Sequence, residues 1–179
     1  MGKTVIAVGG HIGDAELTAG PTLAKVVLEG GRAIIVDCTY GERGHPTLAP
    51  SVYREQKLRE ARHFADSIGA ELITLDYSDG FLPDSEEVAE QIAAIIREAK
   101  PDILITHWIK SMHRDHERAA LEAFRYRDQH AGAGVAQDAG LPDCVILDLR
   151  PLHRRIDRHR HRARVQDAEK RDEEIVASR

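Results

Sequence analysis

Histidines and carboxylates gather in two short stretches of this sequence, Gly9-Gly10-His11-Ile12-Gly13-Asp14-Ala15-Glu16 and His113-Arg114-Asp115-His116. Two neutral imidazoles and one carboxylate oxygen hold a hydrolytic zinc ion at about 2.0–2.2 Å and leave a coordination position open. His11 and Asp14, three residues apart, can meet one ion if a strand gives way to a helix between them, and His116 can complete the set from a neighbouring strand. The same donor set also suits iron(II) and other divalent ions. A ligating imidazole usually gives its second N–H to a carboxylate or carbonyl, so such an acceptor is expected for both His11 and His116.

Elements that would bring these stretches together are readable from the apolar pattern. Strand-length apolar runs recur at Thr4 to Val8, Ala33 to Thr39, Glu71 to Leu75 and Asp102 to Thr106, with a weaker one at Cys144 to Leu149. They are nearly continuous, as strands buried on both faces require. Helical patterns lie between them at Asp14 to Glu29, Val52 to Ile68 and Asp84 to Ala99. Glycines close the first two, and Asp84 with Glu87 reads as a capping box for the third. This alternation predicts an α/β, Rossmann-like three-layer fold, with a mainly parallel sheet and helices on both faces. Ligands in such sheets bind beyond the carboxyl ends of the strands where strand order reverses, commonly between the first and fourth strands. The two His-rich stretches follow those two runs.

At 179 residues the chain reads as one domain, over 1–150, followed by an Arg/His-rich tail over 151–179 that is either helical or disordered. A formal net charge of -5 argues against nucleic acid or an anionic membrane surface as partner. No run approaches the roughly 18 apolar residues of a membrane span, and the N-terminal apolar run is too short for a signal segment. A cytoplasmic protein is expected, with Cys38 and Cys144 as buried thiols. Homo-oligomerisation is left open.

The two stretches resemble the signatures of the LmbE-like, or PIG-L, deacetylases. That family's Ala-His-Pro-Asp-Asp-Ala-Glu-Leu is matched by Gly10-His11-Ile12-Gly13-Asp14-Ala15-Glu16-Leu17, its His-x-Asp-His by His113 to His116, and its Gly-Glu-x-Gly by Gly41-Glu42-Arg43-Gly44. The resemblance covers roughly residues 3 to 125 and implies zinc-dependent removal of acetyl groups from N-acetylglucosamine-type amides. It puts the metal on His11, Asp14 and His116. His113 is implied as the histidine that assists the tetrahedral intermediate or the leaving amine, with Asp115 orienting it. Glu42, and Arg54 or Lys57 on the following helix, are implied to meet the substrate, a small N-acetylated sugar or related amide.

Residue 13 departs from the pattern. The family carries there the aspartate implied to take a proton from water, and glycine cannot do so. Glu42, Asp115 and the free oxygen of Asp14 are the candidates to replace it. Two other readings stand beside the hydrolase. One is a non-catalytic metal-binding or sugar-binding homologue that lacks the base. The other is a Rossmann-type nucleotide-binding module, because Gly10 and Gly13 fill two of the three fingerprint glycine positions and Asp37 ends the second strand, although Val8 stands where the first glycine belongs.

Overall fold

The computed structural model of the chain describes residues 2–129, 134–136 and 144–148. Its elements run β1 (Thr4–His11), α1 (Asp14–Leu28), β2 (Arg32–Thr39), α2 (Pro50–Ile68), β3 (Glu71–Tyr77), α3 (Glu86–Ala99), β4 (Ile103–His107), α4 (Arg114–Gln129), β5 (Gly134–Ala136) and β6 (Cys144–Asp148). The sheet order is β3-β2-β1-β4-β6-β5. The first four strands are parallel, and β6 then β5 extend the β4 edge antiparallel. This is the expected α/β fold, and β1 is its hinge: Val5 pairs with Ala33 of β2 on one side and Ile103 of β4 on the other. Strand order reverses there, so the carboxyl ends of β1 and β4 open into one crevice.

Because successive side chains of a strand point to opposite faces, the sheet has two apolar layers. Ile6, Val8, Ile34, Val36 and Leu104 pack with α3 and α4 residues such as Ile92, Ile96 and Ala120. Val5, Ala7, Ala33, Ile35 and Ile105 pack with Ala15, Ala19 and Leu23 of α1 and Ala65 of α2. Cys38 is a buried free thiol in the first layer. The Cys144 side chain and the tail 151–179 lie outside the described residues.

Several boundaries differ from the sequence-based expectation. β1 continues through Gly9, Gly10 and His11, with His11 paired to Thr39 of β2, so His11 is a strand residue and not a loop residue. A Cβ on Gly10 would lie 2.9 Å from His116 Cδ2 and 3.2 Å from the Asp115 carbonyl carbon, so only glycine lets the start of α4 approach β1 this closely. The third helix is capped one residue later than expected, by Ser85, whose hydroxyl accepts the Val88 N–H. Asp84 instead pairs with Arg118 and Arg125 of α4, tying α3 to α4. Asp102 stands outside β4, and its carboxylate accepts the Thr4 N–H at 2.9 Å, which fixes the register of β1 against β4. Among the described residues no helix is long and apolar enough to cross a membrane.

The β1–β4 seam is therefore the stability-determining part of the sheet. Leu104 is fully buried in it, so Leu104→Ala should lose about 2–5 kcal/mol in urea unfolding, whereas Leu17→Ala on the exposed side of α1 should cost less than about 0.5 kcal/mol. Equal losses would contradict this layering.

Candidate metal centre

Three potential ligand atoms meet where the strand ends converge. His11 Nδ1 lies 3.1 Å from Asp14 Oδ2 and 3.1 Å from His116 Nε2, and His116 Nε2 lies 3.1 Å from Asp14 Oδ2. Each has a clear positional cause. His11 is the last residue of β1, Asp14 the first of α1, and His116 stands in the first turn of α4 after β4. The His11 N–H donates to Asp14 Oδ2 at 2.8 Å, which folds the 11–14 turn back on itself.

Three lone-pair atoms facing one another at this distance repel unless protons or a cation lie between them. Ligands ~2.0–2.2 Å from one ion, at angles near 90–110°, are themselves about 3 Å apart, so the triangle fits a divalent ion. His11, His113 and His116 also lie close enough to share an ion, as do Asp14, His107 and His116. His107 Nε2, however, already meets two internal partners, the Gly10 N–H at 2.9 Å and Asp14 Oδ2 at 3.3 Å.

Around the triangle stands a ring of carboxylates. His11 Nε2 lies 3.1 Å from Asp79 Oδ1 and 3.2 Å from Asp115 Oδ2; both carboxylates stand beside the second ring nitrogen at ion-pair distance, without the angle of a hydrogen bond. No such acceptor meets His116 Nδ1 among the described residues; that ring is held instead by stacking on His107, centroids 4.0 Å apart and nearly coplanar. Burial alone would lower the His11 pKa, but Asp115, Asp14 and Asp79 overcome it and push the pKa up to about 10. Burial would raise the Asp14 pKa, yet His107, His11 and His116 hold it well below the usual carboxylate range. Asp115 is likewise held low against its burial, by His11 and by the N–H groups of Gly80 and Leu82.

The other expected site residues fall out as follows. His113 is exposed on the open side, edge-on to His11 with centroids 4.6 Å apart. Its Nδ1 accepts the Asp115 N–H at 3.3 Å, and its Nε2 has no hydrogen-bond partner among the described residues. Burial and the charges of His11 and His116 lower its pKa. Asp115 does not orient His113 as expected: its carboxylate, fully buried, accepts from Gly80 and Leu82 and faces His11. Glu42 is also committed, accepting the Asp79 N–H through both oxygens. Neither is placed to act as a replacement base. Arg54 pairs with Asp76 at 2.8 Å and stacks on Tyr40. Lys57 does reach the site: a Cβ built on Gly13 would lie 3.0 Å from its Nζ. Asp37 is sealed in the core and cannot meet a ribose, which counts against the nucleotide-binding reading.

Sequence reasoning assigned no role to Asp79 or His107. Their signal was positional: Asp79-Gly80 follows β3 on the carboxyl edge, and His107 ends β4 at the strand-order reversal.

A doubly wound α/β domain with two imidazoles and a carboxylate meeting at its switch point is the class that fold and site define. Residues 6–126 match the family model PIG-L, GlcNAc-PI de-N-acetylase, and the chain belongs to that family. It is similar to the Catenulispora acidiphila 1D-myo-inositol 2-acetamido-2-deoxy-alpha-D-glucopyranoside deacetylase 2, at 28% identity over 80% of this chain and 58% of the relative. The diacetylchitobiose deacetylase of Thermococcus kodakarensis is 27% identical over 82% of this chain and 54% of its own length. Among solved structures, N,N'-diacetylchitobiose deacetylase from Pyrococcus horikoshii superposes with a TM-score of 0.64 at 26% identity, covering 69% of this chain and 49% of the other. The chain thus spans little more than half the length of these curated relatives.

The raised His11 pKa fixes a pH dependence. Without metal the imidazolium contacts stabilise the fold fully below the ordinary pKa of 6.5, and that contribution is lost as pH rises through about 10. An ion at Nδ1 must displace the proton. Apparent zinc affinity should therefore rise about tenfold per pH unit between about pH 6.5 and 8.5, measured by competition with a chromophoric chelator. An affinity flat in pH would contradict the assignment.

Proposed function

We propose that the chain is a zinc-dependent N-deacetylase that removes the acetyl group from an N-acetylglucosamine-type amide, with iron(II) as the alternative metal. The observation that carries this reading is the triangle of His11 Nδ1, Asp14 Oδ2 and His116 Nε2, 3.1 Å on each side, in the crevice between β1 and β4. Family membership and two relatives whose names specify an acetylated glucosamine unit support the same substrate class.

A divalent ion there supplies Lewis acidity toward the amide carbonyl and toward water. His11, Asp14 and His116 would hold it, and Asp79 and Asp115 fix the His11 ring. His113 stands on the open side, its Nε2 without a hydrogen-bond partner among the described residues. Because its pKa is lowered, it is neutral near pH 7 and can take a proton from water at Nε2, then return it to the departing nitrogen. This is the role in which an imidazole can stand in for the carboxylate that Gly13 lacks. The cytoplasm is the compartment that suits the unpaired Cys38 thiol.

Gly13 also favours the second reading, a homologue that binds metal or sugar without turnover. One assay separates the two. Zinc- or iron-loaded protein is incubated with N,N'-diacetylchitobiose or an N-acetylglucosaminyl inositol, and free amine and acetate are measured together. Equimolar amine and acetate are expected, abolished by a chelator and by His116→Ala. His113→Ala should keep the metal and lose about 10²–10⁴-fold in rate. Stoichiometric metal with no amine from either sugar would favour the binder.

A further inference from the structure

The α2 helix sends one lysine into the site, and the backbone makes room for it. Gly13, between ligand residues His11 and Asp14, has φ +109°, and the space beyond its Cα holds the Lys57 ammonium, 3.0 Å from where a Cβ would stand. Gly41, with φ +66°, stands beside the stem: a Cβ there would crowd His11 Cβ at 3.2 Å and would lie at ordinary contact distance, 3.8 Å, from Lys57 Cε. Both positions sit in the left-handed region, where L side chains are disfavoured. Bare Gly13 thus leaves room for the lysine at the turn that joins His11 and Asp14.

Lys57 differs from the other cations around it in having no committed partner. Arg54 is held by Asp76 and Tyr40. Among the described residues Lys57 makes no hydrogen bond and no ion pair; its ammonium lies 5.9 Å from the centre of the Tyr53 ring. Its charge acts on the buried carboxylates of Glu16 and Asp37 without a hydrogen bond to either: Glu16 Oε2 accepts the Gly13 N–H at 2.9 Å, and Glu16 Oε1 and both Asp37 oxygens have no hydrogen-bond partner among the described residues. A half-buried ammonium with unused N–H donors, set against a metal-ligand turn, is arranged to meet an oxygen of a bound molecule.

We propose that Lys57 is a catalytic cation of this chain, whose ammonium donates to the acyl-group oxygen on which negative charge develops when the amide is hydrolysed. The inference rests on the proposed hydrolase reading and adds a residue to it. In that reaction the water oxygen bonds to the acyl carbon and the carbonyl electron pair moves onto the acyl oxygen. The C–N bond then breaks, and the nitrogen leaves with a proton originating from water. Acetate, the product, carries its negative charge on the same two oxygens. A protonated lysine favours both species over the neutral amide, which is differential stabilisation.

The test uses cobalt(II)-loaded protein, with acetate as probe and the visible cobalt spectrum as readout, alongside turnover of N,N'-diacetylchitobiose. Lys57→Met is compared with Lys57→Arg and with Lys25→Met, which removes the same charge from the exposed end of α1; circular dichroism and cobalt stoichiometry verify folding. Lys57→Met should bind acetate about tenfold or more weakly and lose about 10²-fold in kcat, with KM little changed. Lys57→Arg should retain most of both, and Lys25→Met should match the parent. Acetate affinity in Lys57→Met equal to the parent's, including none in either, overturns the inference. Lysine-dependent acetate binding with hydrolysis of neither N,N'-diacetylchitobiose nor an N-acetylglucosaminyl inositol would sustain the oxygen-binding role of Lys57 while removing the deacetylase reading. Deacetylation that is unaltered in Lys57→Met, with unaltered acetate affinity, does the reverse, and a protein that takes up no cobalt overturns both.

Discussion

The arrangement of the whole domain turns on three acceptor atoms from three elements lying 3.1 Å apart. Such a cluster is repulsive unless positive charge sits in it, so the scaffold must force it together. It does so through backbone. The adjacency of β1 and β4 sets two strand ends side by side, and the Asp102 carboxylate locks their register at the opposite end. Bare Gly10 lets α4 come down onto β1, bringing His116 with it. The His11 N–H bond to Asp14 folds the third ligand inward. Each of these contacts is modest, and the apolar layers on both faces of the sheet keep them in place together.

Charge in the site is organised outward from His11. Its ring stands between Asp14 on one edge and Asp79 and Asp115 on the other. Those two outer carboxylates are in turn fixed: Asp115 by the N–H groups of Gly80 and Leu82, Asp79 through its own N–H to Glu42 and its Oδ2 to the Arg43 N–H. The loops after β2 and β3 are thereby bound to the His11 cluster rather than lying free above it. An imidazole so surrounded stays charged or bears a cation, and this links proton, metal and loop order in one equilibrium.

Much of this was legible in the sequence because the signals were periodic or typed. Continuous apolar runs marked four parallel strands, and the position of the His-rich stretches after the first and fourth pointed to the crevice in which His11, Asp14 and His116 meet. What escaped was whatever depends on which carboxylate reaches which ring. Asp115 sits two residues from His113 in sequence, yet the first turn of α4 aims its side chain at His11. Glu42 and Arg54 are residue types that bind sugars, but the fold spends both on internal partners. Asp79 belongs to no motif, and only the proximity of the β3 loop to β1 reveals it. Gly13 reads in sequence as a lost carboxylate, whereas in the fold it is a left-handed turn over which Lys57 lies.

The triangle of His11, Asp14 and His116 should hold one divalent ion. Anomalous diffraction from crystals of the zinc-loaded protein, collected on both sides of the zinc edge, tests this most directly. One peak is expected, bonded to His11 Nδ1, Asp14 Oδ2 and His116 Nε2 at about 2.0–2.2 Å. A peak held instead by His11 Nε2 with Asp79 and Asp115, or none in the crevice at full zinc stoichiometry, would contradict it.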